Sequence, residues 1–185
     1  MLRPSLAALL LASAPVSAAD LAAREAETLE PKSGLEGIYA ALGGGGAFIF
    51  QPGDNSLGYD VEGRAGYSFN PTLQIYLSGS VDGASFSGTW LRTEQINVFL
   101  QYHVLVQQSL MVYGRAGIGV GLSADIVPGS TAAGLALAGG IGAEIRVTPD
   151  VFVAPELFYR TASLSTQGVE RRLQILGLQL SLVYY

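Results

Sequence analysis

From residue 36 onward the chain alternates apolar and polar residues in eight successive segments. No other feature of the sequence limits its fold as strongly. In the segment 57–69, Leu57, Tyr59, Val61, Ala65, Tyr67 and Phe69 fall on one face, and Gly58, Asp60, Glu62, Arg64, Gly66 and Ser68 on the other. A period of two is that of a β-strand, whose successive side chains point to opposite faces. The segments 73–82, 90–104, 110–122, 131–147, 151–161 and 170–184 repeat it. The first, 36–50, is blurred by the four glycines 43–46. "NPT" at 70–72, "VQQS" at 106–109 and "TPD" at 148–150 make tight turns, two of them with proline at a turn position. The connections between them, including "GASFSGT", "ADIVPGS" and "SLSTQGV", read as longer loops rich in Gly and Ser. Tight turns on one side and longer loops on the other describe an antiparallel up-and-down β-barrel of eight strands, with both termini on the tight-turn side.

The distribution of charge gives the two faces their direction. The apolar face, which includes Tyr59, Val61, Tyr67, Leu77, Val98, Leu137, Leu178 and Leu180, carries no charge through its middle. The other face collects Asp60, Glu62, Asp82, Glu144 and Glu156 together with Arg64, Arg115, Arg146 and Arg160. An eight-stranded barrel has an interior just wide enough for its own side chains. That space cannot take a long apolar row from nearly every strand, so the apolar rows face outward into lipid and the charges face a lumen. Unpaired ions there would each cost several kcal/mol, and the near balance of acids and arginines fits an ion-pair network. The fold expected is therefore all-β, a transmembrane barrel with short periplasmic turns.

The remaining composition fits this reading. Mean hydropathy is high at +0.36. The longest apolar candidate outside the N-terminus, 131–145, is short for a membrane helix and holds four glycines. Apolar surface without helical spans belongs to chains that cross membranes as strands. The N-terminus reads as a secretory signal at 1–18: Arg3, an apolar run from Leu6 to Ala14, then small residues up to Ala18. A polar leader at 19–35 precedes the barrel at 36–185. There is no cysteine, so disulfides do not hold this exported domain. One lysine, nine arginines and an acidic net charge exclude a nucleic-acid partner.

The signal, the eight segments, the "NPT" and "TPD" turns and the closing "LGLQLSLVYY" resemble the small outer-membrane β-barrels, such as OmpX and the membrane domain of OmpA. The resemblance covers 36–185 and implies an outer-membrane location with lipid and lipopolysaccharide as surroundings. In that group the last aromatic is usually in phase with the lipid-facing residues; here the phase ends at Tyr184, and Tyr185 is one step out. Some outer-membrane barrels are enzymes that act on lipid A with a His and a Ser. His103, the only histidine, instead falls on the luminal face near a tight turn, so no catalytic residue is assigned. No cofactor or metal is expected either: the glycine runs contain no phosphate-loop motif, and His/Cys ligands are nearly absent. The expectation is a monomeric, plugged barrel with a structural or accessory role. Its alternatives are a narrow channel for small solutes, or a scaffold subunit that meets a protein partner through the periplasmic leader.

Overall fold

A computed structural model describes residues 35–124, 131–166 and 168–185. The signal and the leader up to residue 34 lie outside them, as does the 125–130 connection. Eight strands follow in order: β1 (Gly37–Gln51), β2 (Asp54–Asn70), β3 (Leu73–Phe86), β4 (Thr89–Val106), β5 (Leu110–Ala124), β6 (Thr131–Arg146), β7 (Val151–Thr166) and β8 (Val169–Tyr184). Each pairs antiparallel with the next, and β1 pairs with β8, so the sheet closes into a barrel with no free edge. Closure satisfies every strand from both sides, which a sheet in lipid requires.

The strands are those the alternation predicts, but several run further. "GASFSGT" is not a loop. β3 continues to Phe86 and β4 begins at Thr89, with only Ser87 and Gly88 between them. Both of those residues have positive φ, at 48° and 83°, as the tightest hairpin turns demand. "SLSTQGV" is likewise mostly strand, because β7 reaches Thr166 and β8 starts at Val169. Two residues, 52 and 53, join β1 to β2. Among the described residues, then, the connections opposite the termini are no longer than those beside them. The physical reason lies in the side chains: Phe86 and Leu164 point inward at these ends and are buried.

Burial alternates along the strands in step with the pleat. Ile96, Val98, Leu100 and Tyr102 on β4 are exposed on the outer surface, while Gln95, Asn97, Phe99 and Gln101 are buried inside. The same phase puts Tyr59, Val61, Tyr67, Leu77, Leu137, Leu178 and Leu180 outward, all more than two-fifths exposed. Towards the end away from the termini the outer face of β4 turns polar, at the exposed ion pair of Arg92 with Glu94.

A recurring cross-strand device packs the wall. Phe99 pairs with Gly117, Tyr113 with Gly142, Phe158 with Gly177 and Tyr59 with Gly83. In each case a side chain at the glycine would meet the ring of its partner at 2.4–2.7 Å. The ring covers the glycine and takes the room it leaves, the arrangement that rescues glycine within strands. On the inner face, Gly117, Gly142 and Gly177 thus give their room to aromatic rings rather than to charged side chains. Gly140, facing Glu156 and Arg115, Gly119, facing the Asn97 amide, and Gly43, facing the Ser181 hydroxyl, make room for polar side chains instead.

Candidate functional site: the charged lumen

The inward residues form three layers. At the end away from the termini, Ile49, Phe86, Leu91, Leu164, Leu173 and Ile175 pack with five alanines and Phe158 into one apolar cluster. At the end holding the termini, Leu35, Tyr39, Tyr76, Phe99, Met111 and Phe152 build another. Most of the buried charges lie between. The lumen is not polar throughout, although the glycine- and charge-rich inner face suggests so: apolar clusters line both ends, and the one beside the termini is interleaved with the buried Gln74, Gln101, His103 and Glu144. Single inward residues such as Phe152, Leu173 or Ile175 look like interruptions when each strand is read alone. They become a layer only when eight strands are closed together.

Glu62 is the hub of the middle layer. Its carboxylate accepts from Arg115 at 2.8 and 2.9 Å and from Arg64 at 2.9 Å, and the Nη2 of Arg160 stands 3.1 Å away. Gln179 donates to it from β8 at 2.9 Å. Glu156 on β7 receives Arg64 at 2.9 Å, the Tyr113 hydroxyl at 2.7 Å, and a further ion pair from Arg115. Arg160 turns its Nη1 to Asp60 at 2.5 Å and Asp82 at 3.0 Å. Aromatic rings lie beside all three of these cations, with the guanidiniums of Arg115, Arg160 and Arg64 4.5, 4.2 and 5.9 Å from the ring centres of Phe99, Phe158 and Tyr76. Charged groups paired in this way, in a confined space, fix the strands that carry them.

Of the nine charged residues placed on the inner face from the sequence, seven form one set. Asp60, Glu62, Arg64, Arg115, Glu156 and Arg160 are brought together, and Asp82 joins them. Glu144 lies in the terminal layer instead. It accepts from Gln101 at 3.0 Å and from the Tyr185 hydroxyl at 2.5 Å, and His103 approaches it at 3.5 Å. Arg146 lies over the Phe152 ring, 4.9 Å from its centre. Tyr185 is a luminal residue that the charge pattern does not mark. Being one step out of the outward series, it folds back into the barrel mouth, edge-on to Tyr39 and Phe152 at 5.4 and 5.3 Å. It also accepts a hydrogen bond from Gln74 at 2.5 Å. The odd phase at the C-terminus was its signal. Among the described residues no group of three or more His, Cys, Asp or Glu side chains could hold a metal ion.

An eight-stranded barrel with an apolar outer band and an interior filled by its own side chains defines a class, the small outer-membrane β-barrels. The chain belongs to the family of the outer membrane protein beta-barrel domain, whose model matches residues 5–184, and it resides in the bacterial outer membrane. Solved structures agree on the fold. Neisserial surface protein A (NspA) is 17% identical with a TM-score of 0.67, covering 82% of this chain and 97% of that one. OprG from Pseudomonas aeruginosa is 13% identical with a TM-score of 0.51, covering 80% and 95%. The outer membrane enzyme PagL is 14% identical with a TM-score of 0.52, covering 77% and 97%. A comparison with curated proteins returns no match.

Proposed function

We propose that this barrel is a sealed, non-catalytic component of the outer membrane with a structural or accessory role. The observation that carries the reading is the layered interior. Two apolar clusters close the ends of a lumen whose middle is occupied by paired charges. A diffusion pore needs a continuous wet path, and the porins that provide one have about 16 to 18 strands. The outward band, including Leu77, Val98, Leu137, Leu178 and Leu180, meets lipid and the acyl chains of lipopolysaccharide. The barrel works as a monomer, and the leader at 19–35 is the segment available to a periplasmic protein partner.

The non-catalytic part rests on the surroundings of His103. It is buried in the terminal layer between Gln101, Glu144 and the Tyr113 ring, away from the outer surface where a lipid substrate would lie. Planar-bilayer recording tests the seal: no stable single-channel steps are expected, and a reproducible step would replace this reading with that of a narrow channel. Lipid A masses from cells with and without the protein should be identical. A new lipid A species would assign an enzyme.

A further inference from the structure

The middle layer holds one acid too many. Within the contacting set, the carboxyls of Asp60, Glu62, Asp82 and Glu156 face the guanidiniums of Arg64, Arg115 and Arg160. These seven side chains are all buried, none more than 6% exposed. Among the described residues no further cation makes an ion pair with them. An uncompensated charge in such an interior is costly enough that the group takes up a proton instead.

The contacts locate that proton. Glu62 is surrounded by three arginines and Glu156 by two, so each has ample reason to stay ionised. Asp60 and Asp82 share a single nitrogen, Nη1 of Arg160. They are also directly opposite each other in the β2–β3 ladder, on the inner face. Like charges in that position repel. Each has a second oxygen, Oδ1 of Asp60 and Oδ2 of Asp82, with no hydrogen-bond partner among the described residues. An independent observation points to the same place: Thr93, next across the ladder from Asp82, is fully buried, and its hydroxyl also lacks a partner. The charged groups near the pair are Glu62 from β2 and Arg160 from β7; β3 and β4 contribute the uncharged Ser80 and Thr93.

We propose that Asp60 and Asp82 bind one proton between them, as an acid–carboxylate pair under Arg160, and that the folded barrel carries this proton at neutral pH. Two carboxyls that share one site cannot both ionise readily, and a single proton converts their repulsion into a hydrogen bond. It also brings the set to three negative charges against three positive. The ligand of the lumen is then a proton, and it is structural. Stripping it at alkaline pH leaves the repulsion unscreened inside the wall.

Infrared spectroscopy of the full protein folded into phosphatidylcholine vesicles at neutral pH reads this directly. A protonated-carboxyl band that shifts when aspartate is labelled with carbon-13 is expected in the unaltered protein. It should be lost in D60N and in D82N, and kept in a control, E144Q. Absence of the band in the unaltered protein overturns the proposal without recourse to any variant. Survival of the band in both Asn variants places the proton elsewhere and overturns it too. A sodium ion in the same space would instead make the unfolding rate change when sodium is replaced by choline at constant ionic strength, which would also overturn it.

Discussion

Arg64 on β2 and Glu156 on β7 meet at 2.9 Å although 92 residues separate them in the chain and their strands are not neighbours in the sheet. The bond crosses the lumen and ties two walls that no backbone ladder connects. Glu156→Ala would leave Arg64 and Arg115 short of a partner in a buried site, and a loss of about 3–5 kcal/mol of stability is expected. Glu94→Ala, which breaks the exposed Arg92 pair, should cost no more than about 1 kcal/mol. Urea titration in lipid vesicles, scored by the mobility of unboiled protein on gels, compares the two.

The outer band makes its own demand. Leu77→Arg and Leu178→Arg replace outward residues that are 54% and 66% exposed. At mid-membrane each should destabilise folding by about 2–4 kcal/mol. The same titration measures it, and tolerance of both changes would mean that this surface does not meet lipid.

The last two residues separate by phase. Tyr184 points outward, whereas the Tyr185 hydroxyl links Gln74 to Glu144. Tyr185→Phe keeps the ring contacts but leaves a buried amide and a carboxylate oxygen without their partner. A cost of about 1–3 kcal/mol follows. Tyr184→Phe should lie within experimental error of the unaltered protein.

Phe158 covers Gly177, lies under Arg160 and belongs to the apolar cluster away from the termini. Phe158→Ala opens a cavity at that junction and should cost about 3–5 kcal/mol. The folded form of the unaltered protein should run faster on an unboiled gel than on a boiled one, and the variant should lose that fast band at lower urea.

What could be read in advance followed from periodicity. Tyr59 to Phe69 and Leu176 to Tyr184 alternate so cleanly that each strand's two faces could be sorted alone, but which face points outward followed only from the charge-free row repeated on the other strands. β1 was blurred because small residues occupy both of its faces at 43–46, so neither side announces itself. The strand ends were hidden for a related reason: Gly83 looks like a loop residue until the ring of Tyr59, from the adjacent strand, is laid over it. The charged lumen was legible as a face, but its partition was not. Which acid meets which arginine depends on strand tilt and closure, which bring Glu62 to Arg160 and leave Glu144 to Tyr185.

The β1–β8 seam, where Ala40 lies opposite Tyr184 and Phe50 opposite Gln174, has a consequence for how the molecule is made. The first strand waits for the last. Until the C-terminus arrives, both margins of the growing sheet present bare amides and carbonyls, which hydrocarbon cannot solvate. A partly inserted sheet is therefore an expensive species, and contacts between chain ends are the slowest to form. Closure before or during entry into the bilayer, rather than strand-by-strand entry, is the route this topology favours.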